Sequence, residues 1–320
     1  MRLTRRQTLA AIPATAVASL AAVPMLAPIC ASADTRTIVE AGASVGPRGA
    51  NHRVLDLGDV EVIVLLDDTV PMSTFGPDGP HSIFGVNVDA ETFAEVSRRN
   101  FLSPDEGTSF FHPVLVRTGK NLILFDTGLG RGGLGRAITG AGHAPGDITH
   151  VVLTHLHSDH IGGLLTDGSP TFPNAQHITG ETEMNYFSSN PNAELRQVLS
   201  MRDWFELVND GAEIAPGVTA LAAPGHTPGH MVYRVDSNAS SLLIFADTAN
   251  HHVWSLAYPE WEAHFDMDSA MAARTRRKLL DMLASERMPF TGYHMPFPSV
   301  GYVETAGDGF RYVPESYQFL

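Results

Sequence analysis

Strand-like patterns that come in consecutive pairs, with helical patterns inserted between the sets, predict an α/β or α+β fold with mixed sheets. Val60 to Leu66 is an apolar run of strand length. Residues 67–88 are rich in Pro, Gly and Asp and read as a mobile loop. Asp89 is placed to cap a short helix reaching Arg99. Val114-Leu115-Val116 and Leu122 to Phe125 read as two strands joined across Thr118-Gly119-Lys120-Asn121, a hairpin signal. The second strand runs into Asp126-Thr127-Gly128, and residues 132–149 supply a short helix before a strand at Val151. Later strands are expected near 175–178, 218–222, 230–235 and 241–246. Asp268-Ser269 caps a helix to about Ser285, with Ala270, Ala273, Leu280 and Leu283 on one face.

The most informative segment is Thr154-His-Leu-His-Ser-Asp-His160, directly after the apolar run Val151-Val152-Leu153 and before Gly162-Gly163. His155, His157, Asp159 and His160 are all good ligands for a borderline divalent cation. In an extended loop His155 and His157 project to one side by the two-residue period. Asp159 and His160 follow once the chain has turned, where they could face a second ion.

Three further ligand-type residues sit at expected strand ends, where such folds place their sites. His226 lies in Pro224-Gly-His-Thr-Pro-Gly-His230, Asp247 ends the run Leu242 to Ala246, and His294 lies in Gly292-Tyr-His-Met-Pro-Phe-Pro298. Together these seven suffice for two ions with positions left open for water. Closed structural zinc sites usually use cysteine, so a His and Asp set points to the catalytic type. His230 is expected to pack or to support a ligand. His251-His252 either line the pocket or form an exposed pair. Trp261, Phe265 and Met267 are expected to pack against the 269–285 helix rather than cover the site. Asp266 and Asp268 read as salt-bridge and cap residues.

The N-terminal 33 residues stand apart. Arg5-Arg6 precedes an alanine-rich apolar stretch from about Leu9 to Ile29, and Ala31-Ser32-Ala33 has the Ala-x-Ala form of a cleavage site. This resembles a twin-arginine signal peptide, implying a periplasmic or secreted protein with no stable membrane association after cleavage. Cleavage after Ala33 would remove Cys30, the single cysteine, and with it any disulfide or thiol nucleophile. It would also remove Arg2, Arg5 and Arg6 and no acid, moving the formal charge from −14 to −17. Such acidity argues against nucleic acid or anionic lipid as a partner. Residues 34–320 are then expected to form one catalytic domain.

The His-x-His-x-Asp-His motif, completed in order by His226, Asp247 and His294, resembles the metallo-β-lactamase superfamily. That resemblance implies an α+β, four-layer αβ/βα sandwich with its site at one edge of two sheets. It implies that His155, His157 and His226 hold one divalent metal ion, that Asp159, His160 and His294 hold another, and that Asp247 bridges them, with Zn2+ the expected metal. Asp126 then corresponds to a buried aspartate that orders the metal loops without binding metal. Phe172-Pro-Asn-Ala175, Gly225-His-Thr-Pro-Gly-His230, Pro296-Phe-Pro298 and Gly309-Phe-Arg-Tyr-Val-Pro314 look closest to the methyl parathion hydrolase and lactonase branch. Phe187 falls where that branch places a pocket wall. The implied activity is hydrolysis of a small ester, lactone or phosphotriester by a hydroxide shared between the ions, with Asp159 and Asp247 as catalytic carboxylates. A homodimer is expected by analogy with the same branch. The competing readings are a β-lactamase proper, an iron-dependent oxidoreductase of the same fold, and a binding protein with a vestigial site.

Overall fold

The computed structural model describes residues 51–191 and 195–315, so the expected signal peptide at 1–33 lies outside the described residues. Strands β1 (His52–Leu57), β2 (Val60–Leu65), β3 (Asp68–Pro71), β4 (Thr108–Phe111), β5 (Val114–Thr118) and β6 (Asn121–Phe125) come first. Then follow β7 (His150–Leu153), β8 (Leu165–Thr166), β9 (Ser169–Pro170), β10 (Gln176–Gly180) and β11 (Phe205–Val208). The C-terminal half adds β12 (Glu213–Ala215), β13 (Val218–Ala222), β14 (Met231–Ser237), β15 (Ser240–Ala246), β16 (Phe290–Gly292), β17 (Val300–Ala306) and β18 (Gly309–Pro314). The helices are α1 (Ala90–Arg99), α2 (Gly133–Gly140), α3 (Ser158–Ile161), α4 (Glu181–Ser189), α5 (Arg196–Ser200) and α6 (Ser269–Glu286).

Two seven-stranded sheets result, in the orders β1-β2-β5-β6-β7-β10-β11 and β12 through β18. The first is antiparallel from β1 to β6 and parallel from β6 to β11. The second is antiparallel except at β15–β16, where α6 supplies the crossover. Alternation along each strand separates two faces. One face of each sheet meets the other in a shared core that includes Val62, Val116 and Ile123 from the first and Val218, Tyr233 and Val235 from the second. The outer face of the first sheet packs on α2 and α4 through Leu124, Val151, Ile138 and Met184. That of the second packs on α6 through Leu243, Phe245, Leu280 and Leu283. The layers therefore run αβ/βα, as the fold expectation required.

Several local expectations need correction. The buried stripe of α6 is Ala272, Arg276, Leu279, Leu280 and Leu283, while Ala270 is exposed and Ala273 only half-buried. A guanidinium inside the stripe broke the apolar period that would have revealed it. Residues 67–88 do not form a featureless loop: they carry β3 paired with β4, and they bury Met72, Ile83 and Phe84. These three join Phe93 and Val96 of α1 and Trp254 and Trp261 in a separate core at the mouth of the site. Trp261 stacks on Tyr258 and its ring lies against Phe93 of α1, while its carbonyl accepts from Arg276 of α6. Strands β1, β11, β17 and β18 and helix α4 were not anticipated. Their short or polar patterns carry little periodic signal.

Candidate metal centre

The chain delivers its ligand-type side chains to one edge of the sandwich because β6, β7, β15 and β16 all end there. Beyond β6 comes Asp126, beyond β7 the 155–160 segment, beyond β15 Asp247, and beyond β16 Tyr293 and His294. Met231 at the start of β14 donates its N–H to Thr154 O at 3.0 Å and ties the two sheets at this edge. Asp126 and Ala246 take positive φ values of +63° and +45°, and such strain concentrates where surrounding structure over-determines a site. Gly225, at φ +132°, has no room for a Cβ because the backbone of Ala272 lies against it.

All seven expected donors converge. His155, His157 and His226 form one group, His155, His160 and Asp247 a second, and Asp159, His160 and His294 a third, each with ligand atoms within 4.8 Å of one another. Asp247 lies between the sets: Oδ1 is 3.3 Å from His160 Nε2, while Oδ2 is 3.3 Å from His226 Nε2 and 3.2 Å from His294 Nε2.

The hydrogen bonds behind these rings fix which nitrogen each presents. His160 donates from Nδ1 to Asp126 Oδ2 at 2.8 Å, His226 from Nδ1 to Asp266 Oδ1 at 2.9 Å, and His294 from Nδ1 to Phe110 O at 2.8 Å. His155 Nδ1 is 3.1 Å from Thr154 Oγ1, whose own proton goes to Asp126. In all four, Nε2 is therefore the nitrogen turned to the centre. Among the described residues, the Nε2 atoms of His155 and His160 and Oδ1 of Asp247 are buried with no hydrogen-bond partner. His157 Nδ1 faces His226 Nε2 at 2.9 Å. With His226 Nδ1 donating to Asp266, two lone pairs meet there unless a proton or cation lies between them. Orphaned buried ligand atoms around one point are what a cation site presents. The donor set fits divalent metal.

Electrostatics agree. Burial, with neighbouring His160, His157 and His226, holds His155 well below the usual imidazole range, and burial with His226 takes His157 down to about 3. Both are neutral, the form that ligates. Burial opposes charge on His160 and His294 too, but Asp247, Asp126 and Asp159 raise His160 well above its usual value, and Asp247 and Asp159 raise His294 to about 10. Against the burial penalty, His160 and His294 lower Asp159 to about 2, and the same pair holds Asp247 well below the usual carboxylate range. Cationic charge at this point is what keeps both carboxylates ionised.

Asp126 accepts from Thr154 N at 2.8 Å and from Thr154 Oγ1 at 2.9 Å besides His160, so it orders the loop as expected. His230 does the same at one remove, accepting from Asp247 N through Nε2 at 3.1 Å. His251 is buried, stacked on Trp254, and accepts from the N–H groups of Val253 and Trp254, so it neither lines the cavity nor forms an exposed pair. Asp268 caps α6 through Met271 N, and Asp266 pairs with Arg276 at 2.9 Å as well as with His226.

Sequence reasoning missed Glu183. It is fully buried on α4, and its carboxylate accepts from Leu156 N at 2.9 Å, Thr227 Oγ1 at 2.7 Å and Gly229 N at 2.9 Å. It thus pins the 155–160 segment to the 226–230 loop. Its one sequence signal is an acidic residue directly before Met184 and four before Phe187, both buried. Tyr293 was missed as well: its hydroxyl donates to Asp159 O at 2.6 Å and its ring stacks on His160.

Five of the donors, His157, Asp159, His226, Asp247 and His294, line a cavity of about 640 Å³. Its walls are largely apolar, with Phe75, Ile83, Phe84, Leu129, Phe187 and Phe265 prominent, while Arg131 and Asn250 add polar groups. Phe187 takes its expected place. Phe265, expected on α6, instead meets Phe75 edge-to-face at 5.8 Å on this wall.

A two-sheet sandwich holding seven His and Asp donors at one edge defines a protein built to bind divalent cations there. The chain belongs to the metallo-beta-lactamase superfamily, whose profile matches residues 112–288, more than half of its length. It is similar to an N-acyl homoserine lactonase of Bacillus cereus, 27% identical over 138 residues that cover 43% of this chain and 52% of that protein. It is also similar to a probable metallo-hydrolase of Mycobacterium tuberculosis, 29% identical and covering 44% of this chain and 57% of its relative. The chain thus spans about half the length of the curated relatives it matches. Among solved structures, AidC, described as a dizinc quorum-quenching lactonase in complex with a product, aligns with a TM-score of 0.76 at 24% identity, covering 84% of this chain and 98% of its own. The hydrolase AbOPH aligns with a TM-score of 0.77 at 24% identity, covering 85% and 100%. These two show the shared fold.

Proposed function

We propose that this protein is a hydrolase dependent on two divalent ions, most simply zinc, acting on a small and largely apolar lactone, ester or phosphotriester. The observation that carries the reading is two donor sets with Asp247 within 3.3 Å of members of both, beside an apolar-walled cavity. His155, His157 and His226 would hold one ion, Asp159, His160 and His294 the other, and Asp247 both. When bound, such a pair supplies Lewis acidity and brings the pKa of water from 15.7 toward about 7. The chain's own groups do the rest. Phe75, Phe187 and Phe265 take up the apolar part of the substrate and keep water from it. Asp159 borders the cavity as an ionised carboxylate that can accept a hydrogen bond from the attacking water and orient it, while Tyr293 fixes its backbone. The lactonase names among the relatives support a lactone or ester over a β-lactam. We further propose export through the Arg5-Arg6 leader, with mature protein beginning after Ala33; N-terminal sequencing of protein from a periplasmic extract tests this.

The function test is a hydrolysis screen over lactones, aryl esters, phosphotriesters and β-lactams on protein of measured metal content. Lactone or ester turnover, lost on chelation and restored by zinc, is expected. Protein without bound metal, or iron-loaded protein that consumes oxygen, would overturn the reading.

A further inference from the structure

The rings that face the two proposed ion positions are not backed alike. In the three-imidazole set, His226 alone has a carboxylate behind it, because His155 leans on a threonine hydroxyl and His157 turns its Nδ1 toward His226. In the other set, His160 has Asp126, and His294 has a backbone carbonyl. The two backing carboxylates differ in turn. Asp126 is held by the neutral N–H and hydroxyl of Thr154. Asp266 is held by the guanidinium of Arg276 at 2.9 Å, and both of those side chains are almost wholly buried.

Arg276 does more than pair. It also donates to Thr248 O at 2.8 Å, Pro259 O at 2.9 Å and Trp261 O at 3.0 Å. One guanidinium therefore gathers the residue after Asp247, the 259–261 turn and the partner of His226. The backbone adds two straps, Met267 N to His226 O at 3.0 Å and Asp268 N to Gly225 O at 2.9 Å. Burying an arginine in the apolar stripe of α6 is costly unless every donor is matched. Here the matches all converge on the site edge.

We infer that Asp266 and Arg276 form a positioning pair for the three-imidazole ion position alone, so that the two positions bind their ions unequally and through separable supports. Asp266 keeps the Nδ1 proton of His226 in place, which leaves Nε2 as the donor, and its charge one ring away strengthens that donor. This set has no carboxylate of its own beyond a share of Asp247, so His226 is where its negative backing enters. Arg276 holds Asp266 in register with the Asp247 loop. The inference rests on the two-ion reading above.

The test is stepwise cobalt or zinc affinity of purified protein, measured against a chromophoric chelator, with the cobalt absorption spectrum recorded at each step. Asp266→Asn keeps an acceptor oxygen but loses the charge, and Asp126→Asn makes the matching change behind His160. Asp266→Asn is expected to weaken one binding step by about ten- to a hundredfold and leave the other unchanged. Asp126→Asn should weaken the opposite step, so the cobalt band lost in one variant is the band kept in the other. Should Asp266→Asn not fold, Asp266→Glu displaces the same carboxylate by one methylene and is expected to weaken the same single step. Wild-type affinity at both steps, or equal weakening of both together with a lower melting temperature of the metal-free variant, would overturn the inference. A wild-type protein that binds no ion, or one only, would instead overturn the reading on which it rests.

Discussion

His157 borders the cavity with its Nδ1 2.9 Å from His226 Nε2, and the proposed function makes its ring a metal donor. His157→Ala should lower kcat/KM by more than the ~10–100-fold that loss of an outer partner costs, with circular dichroism unchanged. Near-normal turnover in metal-verified protein would remove it from the donor set. Glu183 poses the opposite case. Its loss leaves two backbone N–H groups and a hydroxyl buried without an acceptor, each worth about 1–3 kcal/mol. Glu183→Ala should therefore destabilise the metal-free protein by about 3 kcal/mol in urea denaturation. A change below about 0.5 kcal/mol, the size of an ordinary surface substitution, would show that these donors find other partners. The seven donors could be read from the chain because motif spacing and strand ends announce them. Glu183, Tyr293 and the supporting role of Asp266 could not, since each acts on loops distant in sequence and no local period marks it.

Helix α6 shows how far an element can be read. Its ends were legible because Asp268 is an N-cap residue and indeed accepts from Met271 N at 2.8 Å. Asp268→Ala should cost about 1 kcal/mol of stability. Leu280 is completely buried against the second sheet, so Leu280→Ala should cost about 2–5 kcal/mol. Chemical denaturation of both variants checks the order, and equal losses would mean that the cap does more than close the helix. The inward face was legible at Leu280 and Leu283 but not at Arg276, which stands where an apolar residue belongs and is explained by the carbonyls of Thr248, Pro259 and Trp261 and the carboxylate of Asp266. Apolar runs such as β2, β7 and β15 were plain from sequence, as was the β5–β6 hairpin. Strands β17 and β18 and the 67–88 segment were not. Their order comes from partners: β17 pairs with β18, β3 with β4, and Ile83 and Phe84 gain cover from Trp254 and Trp261.

For the molecule as a whole, the question is whether the proposed ions hold the fold or are held by it. The shared core between the sheets and the two outer cores contain none of the seven donors. The donors instead sit beyond the strand ends, on loops and on the single turn of α3, tied by Asp126, Glu183 and Asp266, bonds that need no metal. Folding should thus survive chelation. Ions that bind only the native state still add stability by mass action, about 2.7 kcal/mol for one ion at a hundred times its Kd. At about 2–4 °C per kcal/mol for a chain of this size, chelation should lower the melting temperature by about 5–10 °C. Calorimetry should show one cooperative transition with and without chelator. Collapse of that transition on chelation would mean that charge repulsion among the buried donors exceeds what the two sheets can hold, and that the centre shapes the fold as well as the chemistry.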